Sequence, residues 1–273
     1  MGTPYRIFLY NAHGYGLSGR IDRPFQQLID VQAMGSLPQS GGHGVARVEN
    51  FNVKDIVSFK AAYTEVSGSQ NPKDGSYTTF VSATVEGLNV HNIVTADRVV
   101  ARISSNHPAD GSEPTITPVG SQFENLRIAG CPVQVDLDNH LFNRLGTFTA
   151  FKTEYEQNQQ VRLAMQERFM WSQPKSDVPD FLRERYNWFA GDVFPESKGI
   201  VLCSLVKDIK MNCPEVQRFG NVLIVPHFGK IYLAEFTLKR YEREVTMLRL
   251  EMGSATTAYV NGPGAGGNGT TFP

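Results

Sequence analysis

The sequence lacks any long run of basic residues. Its 26 Lys and Arg side chains are balanced by 27 Asp and Glu, which leaves a net charge of −1 over 273 residues. Proteins that bind nucleic acid usually carry a basic patch that neutralises phosphates. We therefore expect no nucleic-acid partner.

Long apolar runs are also missing. No window approaches the roughly 18 apolar residues of a membrane span, and no basic segment followed by an apolar one opens the chain. The sequence as written thus predicts no membrane span and a cytoplasmic protein. An extracellular location would follow if a leader had been removed or if export were non-classical.

Cysteine is scarce. Cys131, Cys203 and Cys213 are the three, without a CxxC spacing. A Cys203–Cys213 bridge or a reactive thiol is one interpretation. The number of cysteines is odd and they lack the spacing of metal ligands. This favours a second interpretation, in which they are small apolar side chains of a protein from a reducing compartment.

Spacings typical of catalytic or metal sites are absent. Several histidines stand beside turn residues, but no HxxH or HExxH occurs, so we predict no metal, no cofactor and no catalytic constellation. Residues 136–139 could offer oxygen ligands to calcium, yet they lack the Gly and the distant Glu of an EF-hand loop, which favours a solvated turn. The histidines in question are His13, His43, His107 and His227.

Strand patterns dominate residues 1–150, which we assign to one repeat-containing β domain. Apolar side chains alternate in Val81-Ala83-Val85, the period of a half-buried strand. Clusters of Asn, Pro, Asp and Gly separate such segments and supply the backbone angles of tight turns.

Three similar segments lie in this part of the chain, each with a glutamate: Glu49, Glu86 and Glu124. The apolar phase shifts just after each glutamate, which predicts a β-bulge or a corner within a repeated strand–corner–strand unit. A glutamate at the same place in every unit indicates a structural role. A hydrolase that uses Glu86 or Glu124 with a loop histidine is the alternative. The segments are ARVENFNVKDIV (46–57), ATVEGLNVHNIV (83–94) and SQFENLRIAGCP (121–132).

Residues 151–198 are predicted to form a helical insertion. Val161, Met165 and Phe169 recur at helical spacing, and Asp180 is placed to cap a second short helix. Trp171 and Trp188 flank this hairpin and are candidates for a ligand platform, although aromatic side chains at such positions more often dock a helix. Strands return over 199–260 and complete the β body, and the Gly-rich 261–273 is expected to be a flexible tail.

Four stretches resemble the repeats of choice-of-anchor bacterial surface proteins. They are AHGYGLSGRI (12–21), VSATVEGLNVHNIVTADRVVARISS (81–105), GSQFENLRIAGCPV (120–133), and IVPHFGKIYLAEFTL (224–238) with VTMLRL (245–250). The resemblance implies a β-rich adhesive or structural protein without a catalytic site. The export signal and C-terminal anchor of that family are not expected here, and the 151–198 insertion is an addition to it.

The sequence therefore predicts an all-β fold, a β-sandwich or wide β-solenoid of repeated units with a small helical insertion. The function that we expect is a non-enzymatic structural or self-assembling bacterial protein whose partner is itself. The tail from Gly262 or the strand Tyr5–Tyr10 would add to the sheet edge of a neighbour. The alternative is a carbohydrate- or ligand-binding β module, with a glycan as its partner.

Overall fold

A computed structural model describes residues 7–169, 178–186, 200–253 and 255–272. Within these ranges most of the chain is β-strand, and the strands form two antiparallel sheets. No helix in this part of the chain has the length and apolarity needed to cross a membrane.

The first sheet has ten described strands. They are β1 (Ile7–Tyr15), β2 (Leu17–Arg23), β3 (Gln27–Gln32), β4 (Gly35–Ser36), β13 (Val201–Ser204), β15 (Gln217–Phe219), β16 (Val222–Val225), β17 (Gly229–Leu238), β18 (Arg243–Met252) and β19 (Thr257–Phe272). The order is β15-β16-β17-β18-β19-β1-β4, with β13 also on β17 and the β2–β3 hairpin also on β19.

The second sheet has nine described strands. They are β5 (Gly42–Val53), β6 (Val57–Gln70), β7 (Tyr77–Val90), β8 (Val94–His107), β9 (Thr115–Thr117), β10 (Gln122–Glu124), β11 (Arg127–Ile128), β12 (Cys131–Leu137) and β14 (Val206–Met211). The order is β14-β12-β11-β8-β7-β6-β5, and β9 and β10 also pair with β8. Each sheet thus contains strands that precede the helices in the sequence and strands that follow them.

The two sheets pack against each other through β1, β18 and β19 on one side and β6, β7 and β8 on the other. Glycines let the backbones approach closely: a Cβ on Gly14 would lie 2.8 Å from Val81 Cγ1, and one on Gly16 would lie 2.6 Å from Ala62 Cβ. The apolar core fills the space between the sheets, where Val81 and Val85 are almost completely buried.

The predicted change of apolar phase occurs after Glu86. Val85 is 1% exposed and Leu88 is 4% exposed, so the buried face moves from odd to even positions. Neither a β-bulge nor a corner, the two predicted alternatives, occurs here: β7 continues within one sheet, and Glu86 pairs with Arg98 and Leu88 with Ala96 in one unbroken register. Gly87 has a φ of 63°, and this single left-handed residue turns the side chains without adding a residue to the strand.

The prediction of a flexible tail at 261–273 is also wrong for its described part. Residues 257–272 form β19, which lies between β18 on one side and β1 with β2 on the other. Positions 262–267 are buried. Glycine hides the alternation that identifies a strand, because it has no side chain.

Four described helices lie between the two sets of strands: α1 (Asn139–Arg144), α2 (Phe148–Gln157), α3 (Gln159–Arg168) and α4 (Asp180–Arg185). The helical segment therefore begins ahead of position 151. Tyr155, Val161 and Met165 are buried, in agreement with their spacing. Asn158 separates α2 from α3. Its side chain caps α3 by accepting hydrogen bonds from Gln160 N and Val161 N.

Two smaller predictions about this region need correction. Asp180 is the first residue of α4 rather than its cap, and it pairs with Arg183. The oxygen-rich residues 136–139 span the end of β12 and the start of α1, where Asp138 caps the helix by accepting from Leu141 N at 3.1 Å and pairs with Arg168.

The cysteines pair differently from the bridge considered above. Cys131 and Cys213 form a disulfide, and Cys203 is a free, buried thiol. Residues 82 positions apart meet because β11–β12 and the end of β14 are neighbours in the nine-stranded sheet.

Candidate functional site

The three glutamates lie in one row across the nine-stranded sheet. Glu49 pairs with Ala61, Ala61 with Glu86, Glu86 with Arg98, and Arg98 with Glu124. Cross-strand partners share a face of the sheet, so the three carboxylates stand on the same side. This is the face away from the ten-stranded sheet.

Arg98 is the common partner of two of these carboxylates. Its guanidinium lies 3.9 Å from Glu86 Oε1 and 3.5 Å from Glu124 Oε1, and it donates to Tyr63 Oη at 3.2 Å. Tyr63 in turn donates to Glu86 at 3.2 Å. Glu86 and Glu124 thus share one arginine across neighbouring strands, an arrangement that ties β6, β7, β8 and β10 together.

Glu49 has a different environment. It pairs with Arg47 on the same strand at 2.6 Å, and both side chains are more than half exposed. The structure therefore brings Glu86 and Glu124 together around one arginine and leaves Glu49 at the edge of the row.

The histidines are spread over different elements. His13 is on β1, His43 on β5 and His107 at the end of β8, while His227 is in the turn before β17. Among the described residues no three His, Cys, Asp or Glu side chains form a group that could hold a metal ion. Trp171 and Trp188, the predicted ligand platform, lie outside the described residues.

Strand β5 is a free edge of the nine-stranded sheet, at the opposite end of the strand order from β14. It is twelve residues long and pairs with β6, and no described strand pairs with its other side. Backbone groups of residues 43–52 make no further backbone hydrogen bonds within the described chain. Val45 is 70% exposed at this edge, the highest value among the large apolar side chains described.

A ladder of alternating arginine and tyrosine side chains crosses the outer face of the ten-stranded sheet. Arg249 lies 5.5 and 4.8 Å from the ring centroids of Tyr232 and Tyr259, and Arg185 lies 5.0 Å from the centroid of Tyr232. Glu251 accepts from Arg249 at 2.8 Å and from Tyr232 at 3.0 Å. Burial acts against the ionised form of Glu251, but these two hydrogen bonds prevail and lower its pKa.

An open cavity of about 480 Å³ adjoins this ladder, between the β2–β3 hairpin and β19. Leu28 and Val31 present exposed apolar side chains there, and Tyr259 forms part of the wall. The Asn261 Oδ1 atom is buried in the same wall without a hydrogen-bond partner. The cavity could therefore hold a small molecule that has an apolar body and a donor group.

A buried polar cluster fixes α4 on β17. Glu235, 5% exposed, accepts two hydrogen bonds from Arg185 at 2.6 and 2.7 Å and one from Tyr186 at 2.7 Å. Burial, followed by the charge of Glu235, raises the pKa of Tyr186 well above its usual value. These groups satisfy one another, which indicates a structural contact.

Sequence reasoning did not identify the free edge at β5 or the arginine–tyrosine ladder. The order of strands decides which strand is an edge, and the local pattern of GHGVARVENFNV carries no such information. The ladder joins positions on β17, β18 and β19 with one on α4. Its only local signal is the Arg249–Glu251 spacing of two, which places both side chains on one face of a strand.

Comparison with protein-family models gives a match, whereas comparison with individual proteins does not. No curated protein and no solved structure matches the sequence. The family model described as Domain of unknown function (DUF8256) matches residues 8–239, which is most of the chain. The chain belongs to the DUF8256 family.

Proposed function

We propose that the chain is a non-enzymatic structural protein that assembles with copies of itself through strand β5. The observation that carries this proposal is the free edge described above, twelve residues long. An exposed edge offers unpaired N–H and C=O groups to a strand of another chain.

The composition of β5 supports this role. Soluble proteins commonly protect edge strands with lysine, proline or a bulge. Residues 42–53 contain neither lysine nor proline, and they pair with β6 in one continuous register. The net charge of −1 provides little long-range repulsion between copies.

We place the contact on a different strand from the two segments that the sequence suggested. Leu9 and Tyr10 on β1 pair with Thr270 and Gly269 on β19, so these segments complete the sheet of their own chain. β5 replaces them as the contact strand in this proposal.

We further propose that the two sheets form a β-sandwich, and that the three glutamate segments are copies of one unit. Two observations support common units. A left-handed residue follows each glutamate, at Asn50, Gly87 and Asn125. Each segment also ends in a turn with two left-handed residues in succession, at 54–55, 91–92 and 129–130.

The turns of successive units also contact each other. His91 N donates to Ile56 O at 2.9 Å, and Ala129 N donates to Ile93 O at 2.8 Å. The same contact thus recurs at the same place in successive units, as stacked copies would require. Such β-rich units are also what the resemblance to choice-of-anchor surface proteins implies, and the Cys131–Cys213 disulfide suits an extracellular setting.

The proposal is tested by light scattering and negative-stain electron microscopy over a concentration series. We expect oligomers of defined mass. Adjacent residues of an edge strand direct their N–H groups to opposite sides, so one of Val45→Pro and Ala46→Pro removes an outward N–H and leaves the β6 pairing intact. The variant that keeps the wild-type circular dichroism spectrum should be folded and monomeric. A wild-type monomer at every concentration would refute the proposal.

A second candidate function is binding of a glycan or another small molecule in the cavity beside Tyr259. The unpartnered Asn261 Oδ1 and the exposed Leu28 favour it. A glycan array followed by thermal shifts would test it. Binding should be lost in Tyr259→Ala and kept in Tyr241→Ala, since Tyr241 is an exposed tyrosine in the turn between β17 and β18.

A further inference from the structure

We infer that two copies pair β5 against β5 in antiparallel orientation, about a two-fold axis at Val48. This inference rests on the proposed function, because it names the register of the same contact. It predicts a closed dimer at this edge, since a two-fold contact uses the edge of both copies.

The charges of β5 select this register. Arg47 and Glu49 stand on the same face of the strand, 65% and 54% exposed. With Val48 on the axis, Arg47 of each copy lies directly opposite Glu49 of the other. Two ion pairs then form across the interface, and cross-strand pairs of opposite charge favour pairing.

Neighbouring registers bring like charges together or gain nothing. An axis at Arg47 places the two arginines opposite each other, and an axis at Glu49 does the same for the two glutamates. Like charges directly opposite each other are destabilising. An axis at Ala46 pairs Arg47 with Val45 and Glu49 with His43, so the arginines form no ion pair. Parallel pairing in register sets every charge beside its own copy.

The shape of the edge also centres the contact near Val48. Gly44 lies close to the preceding strand, since a Cβ on it would be 3.2 Å from Ser36 O. At the other end, the Lys54 ammonium group lies 3.6 Å above the ring of Phe25. The open stretch is therefore the middle of β5, where Val48 is half-buried and packs against the core.

The two valines would meet on the inner face of the joined sheets. Directly opposite side chains in an antiparallel pair have Cβ atoms roughly 5 Å apart. Each Val48 thus extends the apolar layer of the other copy, while the arginine–glutamate pairs lie on the outer face.

Charge reversal tests the ion pairs. Arg47→Glu and Glu49→Arg each place two like-charged pairs in the interface, and we expect the dimer Kd to rise by roughly tenfold, and more at low salt. The double variant Arg47→Glu/Glu49→Arg restores both pairs and should return the Kd to within about threefold of wild type. Both side chains are exposed, so the monomer fold should be unchanged, which urea unfolding would verify.

Cysteine cross-linking tests the register itself. Val48→Cys should form a disulfide-linked dimer on oxidation, because the two thiols lie opposite each other. Ala46→Cys is the matched control on the same face. Its two copies would be offset by four residues, roughly 13 Å, which is too far for a disulfide.

The outcomes separate the two proposals. A wild-type chain that stays monomeric overturns the proposed function and this inference together. A wild-type dimer in which Ala46→Cys cross-links instead of Val48→Cys, or in which double charge reversal fails to restore affinity, overturns the register alone.

Discussion

Arg243 is one of the few charged side chains that the fold buries. It is 1% exposed and donates to Ile116 O at 2.7 Å and to Leu145 O at 3.0 Å. One side chain of the ten-stranded sheet thereby binds β9 of the other sheet and the end of α1. Residues 239–244, KRYERE, have a composition typical of an exposed polar turn. The local sequence does not reveal which of these six polar residues points inward.

Replacing this arginine should be costly. In Arg243→Met two buried carbonyl oxygens lose their donor, and we expect the free energy of unfolding to fall by roughly 2–4 kcal/mol. Urea unfolding followed by circular dichroism would measure it. Arg240→Met, at an exposed position of the same turn, should change stability little. Equal losses in both variants would contradict a special role for Arg243.

At the level of elements, the hairpin turns determine how the nine-stranded sheet is built. The turn at Ile128–Cys131 has left-handed backbone angles at Ala129, with φ 50°, and at Gly130, with φ 78°. Two successive left-handed residues are typical of the tight turn whose twist matches that of the strands. Glycine adopts this conformation without strain, and alanine does not.

Ala129→Gly should therefore stabilise the protein, although glycine usually weakens a strand. We expect a gain of up to about 1 kcal/mol in the free energy of unfolding. Ala101→Gly, in the buried middle of β8, should instead lower the free energy of unfolding by roughly 1 kcal/mol. Thermal and urea unfolding of both variants would check the difference in sign, and a loss in Ala129→Gly would contradict the argument.

For the whole molecule, the disulfide joins two distant parts of the chain. Cys131 and Cys213 flank the helices and are 82 residues apart. A cross-link over so long a loop restricts the unfolded chain strongly, and such bonds typically contribute about 2–4 kcal/mol.

Reduction should reveal that contribution. We expect the free energy of unfolding of Cys131→Ser/Cys213→Ser to be lower by roughly 2–4 kcal/mol. Reductant should lower the free energy of unfolding of the wild-type protein to the same value. Urea unfolding with and without reductant is the measurement. Reductant should leave the double variant unchanged, because the remaining Cys203 is buried and unpaired. Wild-type stability that is insensitive to reductant would rule out the bond.

The sequence predicts the central strands and α3, because burial imposes a period on their side chains, but it misses α1 and the start of α2. Val81, Ala83 and Val85 alternate because β7 has one face in the core. The same reasoning does not identify β19, because glycine has no side chain and therefore shows no alternation of apolar and polar residues. The Cys131–Cys213 pair and the free edge at β5 depend on which strands become neighbours, and neighbours far apart in sequence leave no local pattern.

The position of β19 also sets the order of events during synthesis. β5 to β8 form a series of hairpins between successive strands, so this part of the nine-stranded sheet can assemble while the ribosome is still translating. In the ten-stranded sheet, Leu9 on β1 pairs with Thr270 on β19, and β19 lies between β1 and β18. This pairing cannot form before Thr270 has been synthesised. A nascent chain therefore holds β1 without its β19 partner until residues 264–272 have been made, and the ten-stranded sheet can close only after that point.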